Sequence, residues 1–202
     1  MPSEEVVLPF PTSGALGEAT QVRSTLLASS IASLRRHELF DRYVALLSHD
    51  HRDAVLSSVA GQWLPIAVAR AHYNACDQLG LTQAQQLQIG AEVSLKIHDT
   101  FLGVVIRTAK QAGVTPWILL SRGHQMYSRV FDGGGGLRVI RYGPKEARAD
   151  IVGVPLLSIP YFRNALRGIY QAAISLFCIQ AYVQEITREA GPTRASLRLS
   201  WV

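Results

Sequence analysis

Ser48-His-Asp-His-Arg-Asp53 sets two imidazoles one residue apart beside two carboxylates, side chains that hold a metal when a further ligand converges on them. No further ligand is assignable. The same letters suit a helix start, with Ser48 or Asp50 as the cap and acidic charge in the first turn, and a capped helix is the reading they support. The run Gly133 to Gly136 raises phosphate binding, which needs a glycine loop leading into a helix and a Lys-Ser/Thr pair that reaches phosphate and magnesium. Here the glycines precede a strand pattern and lack that pair, so they read as a flexible connector from helix to strand. Hydrolysis through a serine elbow would need Gly-x-Ser-x-Gly, which is absent. With no nucleophile–base pair or paired carboxylates assignable, no catalytic residue and no metal ligand are named, and the chain reads as a non-enzyme.

What remains are groups that can hold a molecule. Trp63, His72, Tyr73, Phe101, Trp117 and Tyr127 fall on or beside predicted helices, and they are the candidate lining of an apolar ligand pocket between helices and sheet. The competing reading is that they fill a core. Charge supplies a second candidate surface. Up to Gly136 the chain has 11 basic and 11 acidic residues, and from Leu137 onward 9 and 4, so the whole net charge of +5 falls on the last third. Arg138, Arg148 and Arg198 share polar strand faces, while Arg163 and Arg167 stand one turn apart on a helix, a basic surface suited to an acidic protein partner or a phosphate-bearing ligand. No aromatic interleaving accompanies these arginines, and nucleic-acid binding is not expected.

These side chains must be positioned by a small set of elements. Leu137–Tyr142 and Glu146–Val152 flank Gly143-Pro144-Lys145 and read as a hairpin; Ala147, Ala149 and Ile151 alternate with Glu146, Arg148 and Asp150, the period of a half-buried strand. Tyr182–Thr187 and the run Ala195, Leu197, Leu199, Trp201 form a second pair around Gly191-Pro192-Thr193. Between the pairs, Ser158-Ile159-Pro160 predicts a helix start with Ser158 as cap, and Phe162, Leu166, Ile169, Ala173 and Leu176 make one stripe for the sheet over a helix reaching about Cys178. A ridge of small residues, Ala165, Gly168 and Ala172, admits another helix closely, from this chain or from a second copy.

Upstream, helical spacing runs from Ser24 to Leu47, with Gln21–Leu27 open as a short strand, and again from Pro65 to Leu79. Residues 82–98 are in conflict, because Leu87, Ile89, Ala91, Val93, Leu95 and Ile97 alternate as a strand would. The Thr82 cap and the apolar run Phe101 to Ala109 favour a helix. Another helix begins near Thr115-Pro116-Trp117. The fold class is α+β, N-terminal helices packed on an antiparallel sheet of about four strands in a ββαββ unit.

At 202 residues and 48% hydrophobic content this is one domain, 21–202, preceded by a flexible arm over residues 1–20. Two cysteines, Cys76 and Cys178, read as buried thiols, and without a signal peptide or a spanning run the expected location is cytoplasmic. Phe101, Leu102, Val104, Val105 and Ile106 are apolar nearly all round, so a homodimer is expected through that helix or through the small-residue ridge.

Gly61-Gln-Trp-Leu-Pro65, Ala71-His-Tyr-Asn-Ala-Cys-Asp77, Gly143-Pro-Lys-Glu-Ala-Arg148 and Pro160-Tyr-Phe-Arg163 with Arg167-Gly168 resemble a myxobacterial paralogous family of unknown function, over roughly Val22 to Trp201. More distantly, the order of elements is similar to the superfamily of vinyl-4-reductase-type domains, vesicle-tethering (TRAPP) small subunits and haem-nitric-oxide/oxygen-binding domains. That resemblance implies a non-catalytic pocket domain, often paired as a dimer, of sensory or adaptor type. Its haem branch implies a proximal histidine on the helix before the first hairpin, where His124 stands. The same branch carries Tyr-x-Ser-x-Arg for the propionates, and the corresponding Val152-Gly-Val-Pro-Leu156 has none of the three. The expectation is therefore an apolar small-molecule ligand and no cofactor, with haem on His124, or a structural homodimer or adaptor without a ligand, as the alternatives.

Overall fold

The computed structural model describes residues 4–11, 16–59, 61–101 (backbone only from 96) and 115–202. Its centre is the predicted hairpin. Strands β5 (Gly136–Gly143) and β6 (Glu146–Val152) pair antiparallel with Leu137 opposite Ile151 and Val139 opposite Ala149. β6 pairs in turn with β8 (Arg194–Trp201), and β8 with β7 (Ala181–Glu185). The inner face carries Leu137, Val139, Ala147, Ala149, Ile151, Ala195, Leu197, Leu199 and Trp201, all buried, as the period of two requires. On the outer face Asp150 is only 3% exposed, because Arg138, Arg148 and Ser196 close over it with bonds of 2.6–3.0 Å.

The sheet has a fifth strand. β1 (Glu5–Leu8) pairs with β5, Glu5 opposite Arg141 and Leu8 opposite Val139, giving the order β1-β5-β6-β8-β7. Part of the arm expected to be flexible is thus the edge of the sheet. Its four residues are too few to show a period, and Pro9 and Pro11, which lack ladder donors, end it. A second, three-stranded sheet includes the short strand left open at Gln21–Leu27: β2 (Gln21–Arg23) lies between β3 (Trp63–Pro65) and β4 (Phe131–Asp132), neither of them marked by the pattern, with Val22 opposite both Leu64 and Phe131.

Helices α1 (Ser24–Arg36), α2 (Phe40–Leu46), α3 (His49–Leu56) and α4 (Ile66–Asp77) precede α5 (Gln83–Phe101), so residues 83–98 are helical despite their alternation. The cap decides it. Thr82 N–H donates to Gln85 Oε1 at 2.9 Å and Gln85 N–H to Thr82 Oγ1 at 3.3 Å, a reciprocal capping box. After α6 (Pro116–Ser121) and α7 (Gly123–Val130), the helix α8 (Pro160–Ser175) runs between the two strand pairs. Pro160 opens it as predicted, but Ser158 does not cap it. The Ser158 hydroxyl donates to Pro155 O at 2.8 Å, and the free Tyr161 amide donates instead to Asp77 Oδ1 of α4 at 2.8 Å.

α5 and α8 cross on their glycines. A Cβ on Gly90 would lie 1.9 Å from Ala165 O, and one on Gly168 would lie 2.0 Å from Leu87 O. The small-residue ridge is therefore spent inside the chain, which removes it as a dimer surface. The other surface named for a dimer, Phe101 to Ala109, lies outside the described side chains. The glycine connector is also corrected. Gly133 and Gly135 hold φ of +87° and +76°, Gly135 N–H donates to Gly17 O at 2.7 Å, and a Cβ on Gly135 would stand 2.0 Å from the Tyr127 hydroxyl. Glycine here serves close backbone packing rather than freedom.

Candidate functional site

Where α7, α8 and the inner face of β5 and β6 meet, the chain leaves a cavity of about 130 Å³. α8 supplies most of one wall through Phe162, Leu166, Ile169 and Ala173, four of the five stripe residues, at the spacing of one helix face. α7 supplies another through Gly123, Met126, Tyr127 and Val130, and Leu137 and Ile151 of the hairpin form the floor. Gly123 is there because α7 rests on leucines: a Cβ would meet Leu137 Cδ2 at 2.4 Å and Leu8 Cδ2 at 2.9 Å.

Few polar atoms reach this space. The Tyr127 hydroxyl donates to Gly134 O at 3.0 Å, tying the α7 wall to the glycine connector, and burial holds the phenols of Tyr127 and Tyr170 well above the usual tyrosine range. Ser94 of α5 is 1% exposed, and its Oγ has no hydrogen-bond partner.

Of the five described among the six aromatic and imidazole side chains expected to gather at a pocket, Tyr127 alone lines this one. His72 and Tyr73 are fully buried on α4, one layer behind it. His72 Nδ1 lies 2.6 Å from the Tyr43 hydroxyl and Nε2 lies 3.0 Å from Ser30 Oγ, with Cys76 Sγ at 3.7 Å. Burial alone drives the His72 pKa down to about 3 and pushes the Cys76 thiol up, so at neutral pH both are uncharged core groups. Tyr73 touches the site indirectly, packing edge-on to the wall residue Phe162 with ring centres 4.8 Å apart. Trp63 is half-exposed under the Arg23 guanidinium, 3.9 Å from it. Trp117 packs on Trp201 at 5.1 Å and donates from Nε1 to Pro144 O at 2.8 Å, at the far end of the hairpin. The Phe101 side chain is outside the described set.

Beside the aromatic Tyr127, Phe131, Phe162 and Tyr170, the wall is mainly Leu, Ile, Val, Met and Ala on faces that the helix and strand periods identify, and Ser94 carries no signal of its own in the sequence.

The five arginines named as a basic surface all bond within the chain. Arg138 and Arg148 bind Asp150, and Arg198 binds Glu146 at 2.6 Å. Arg163 pairs with Glu185 and also donates to Leu157 O and Arg194 O, while Arg167 donates to Asn164 Oδ1 at 3.2 Å. Four of the five meet a carboxylate within the chain, and Arg167 meets the neutral oxygens of Asn164 and Val183. His49 and His51 sit in the first turn of α3, where Ser48 Oγ lies 3.4 Å from His51 Nδ1 and makes no cap bond. Among the described residues no three His, Cys, Asp or Glu side chains gather as a metal site, and no helix is long and apolar enough to cross a membrane.

His124 occupies α7 directly after Gly123 and one turn before Tyr127; it is half-buried, and its side chain is not part of the cavity wall.

No family model and no curated protein matches the sequence, so the likeness to the myxobacterial family rests on the residue runs quoted above. Solved structures do match. The Fe(II) unliganded H-NOX protein from K. algicida superposes with a TM-score of 0.64 at 9% identity, over 89% of this chain and 96% of that one. An oxygen-binding H-NOX domain related to soluble guanylate cyclases gives 0.57 at 14% identity, over 89% and 94%. The fold is that of the H-NOX domains. A third match, described by haem redox potential and protein-induced porphyrin distortion, gives 0.58 at 14% identity over 89% and 94%. The fold thus resembles that of the haem-nitric-oxide/oxygen-binding domains, a branch of the superfamily named from element order. The expectation of a chain with no cofactor is corrected by the same finding, since the H-NOX neighbours are iron and porphyrin proteins.

Proposed function

We propose that the chain is a non-catalytic sensory domain that reports occupancy of the cavity between α7 and α8, with haem as a cofactor that His124 would hold. The observation that supports this reading is the double duty of α7, which walls the cavity through Gly123, Tyr127 and Val130 and carries His124 on the intervening turn, in an H-NOX fold.

The residues fit a porphyrin in part. The apolar wall suits its faces, and His124 supplies a nitrogen donor of the right type. Volume and charge do not fit. About 130 Å³ is below the roughly 300–1,000 Å³ of ordinary ligand sites, and among the described residues no guanidinium or ammonium stands in the wall to meet propionates. His124, beside Gly123 on α7, would be the residue to hold haem. Bound there, haem would supply an iron atom able to take a diatomic gas.

The test is an absorption spectrum of protein from haem-supplied cells and after reconstitution. A Soret band at one haem per chain, lost in His124→Ala and restored by added imidazole, is the expected result. Folded wild-type protein that takes up no haem would end the reading. The homodimer and the acidic partner keep no support from the ridge and the arginines first named for them, and mass in solution decides the former.

A further inference from the structure

Ser94 is a hydroxyl that the cavity isolates. Other helical serines here place the hydroxyl on a partner: Ser121 donates to Ile118 O at 3.1 Å and Ser128 to Gln125 O at 3.3 Å, while Ser33 donates to Glu92 and Ser30 Oγ lies 3.0 Å from His72 Nε2. Ser94 does not: it is 1% exposed, and among the described residues its Oγ has no partner. The cavity it lines is shared with Leu26, Phe162, Leu166 and Ile169. A buried hydroxyl in such surroundings is costly unless something occupies it. Water is a poor occupant, because a buried water makes about three hydrogen bonds and the described residues of this wall offer one buried unpaired side-chain group. The volume of about 130 Å³ is close to that of an apolar cavity of about 150 Å³ that stays dry and binds benzene in another protein.

We infer that the cavity of the haem-free chain binds a single-ring, largely apolar molecule bearing one hydrogen-bonding group, of the phenol class, with its ring against Phe162, Leu166 and Ile169 and its hydroxyl on Ser94 Oγ. This rests on the cavity being the ligand site and not on haem being its occupant. Size selects one ring. Ser94 selects the hydroxyl, because a ligand without one leaves a buried polar group unpaired.

The experiment titrates haem-free protein with phenol and with benzene, followed by amide NMR shifts of α7 and α8, in wild type, Ser94→Ala and Ala173→Leu. Phenol is expected to bind about 5–10-fold more tightly than benzene in wild type, the worth of one buried hydrogen bond. Ser94→Ala should abolish that preference while keeping benzene binding, and should melt no lower than wild type, since it removes an unpaired hydroxyl. Ala173→Leu, which fills the cavity from α8, should weaken both ligands. Equal affinities in wild type, a phenol preference that survives Ser94→Ala, or no saturable binding of either ligand would overturn the inference. A chain that fails to take up haem yet discriminates phenol through Ser94 loses the haem reading and keeps this one; haem uptake with no phenol discrimination does the reverse.

Discussion

At the scale of single residues, His72 makes the sharpest prediction. It is 0% exposed, and its folded pKa of about 3 lies below the unfolded value of 6.5 because burial penalises the imidazolium. Between those values the unfolded chain holds the proton and the folded chain does not. Stability from the neutral imidazole is therefore present above pH 6.5 and is lost as pH falls toward 3, at about 1.4 kcal/mol per pH unit. Urea unfolding from pH 7 to pH 4 should show that slope, and His72→Gln should flatten it at some cost in stability at pH 7. An unchanged slope in the variant would mean that His72 is not the group responsible. His72 also explains a failure of sequence reading. A histidine beside a tyrosine on an amphipathic helix looks like a pocket edge, and only its contacts with Tyr43 and Ser30, 29 and 42 residues away, place it inside the core.

At the scale of elements, the crossing of α5 on α8 decides what the small residues are for. Because Leu87 O would stand 2.0 Å from any Cβ on residue 168, the helices must separate to admit a side chain. Gly168→Leu is expected to cost at least about 1–3 kcal/mol, read as a lower melting temperature with sedimentation mass unchanged. A fall in mass with a sharp, unshifted transition would instead mean that the ridge joins two subunits. Elements with a full period were legible: the β5–β6 hairpin, the β8 alternation and the α8 stripe each repeat long enough for one face to declare itself. The 3-residue strands β2 and β3 and the 2-residue β4 have no such repeat and exist only because each has a partner far along the chain. The cavity was half legible. Its α8 wall was the stripe assigned to the sheet, whereas its α7 wall depends on where an 8-residue helix comes to rest.

At the scale of the molecule, the N-terminal strand links the sheet to the site. β1 covers the β5 edge, and Leu8 of the same strand reaches the place where Gly123 rests on Leu137. Deleting residues 1–11 should expose the β5 edge and loosen α7 together. The expected result is a lower melting temperature, by about 2–4 °C for each kcal/mol lost, with concentration-dependent self-association through the bare edge. Identical melting and a single sedimenting species would show that β1 contributes neither. The packed glycine run carries a consequence for solvent exchange. Four consecutive glycines ordinarily mark the fastest-exchanging amides in a chain, yet here Gly135 donates to Gly17 O at 2.7 Å, and the adjoining Ala19 and Thr20 amides donate to Gly153 O and Asp132 O at 2.8 and 2.9 Å. In deuterium labelling the Gly135 amide should stay protonated about as long as the strands around it, and its early loss on filling the cavity would time the departure of α7 from the sheet.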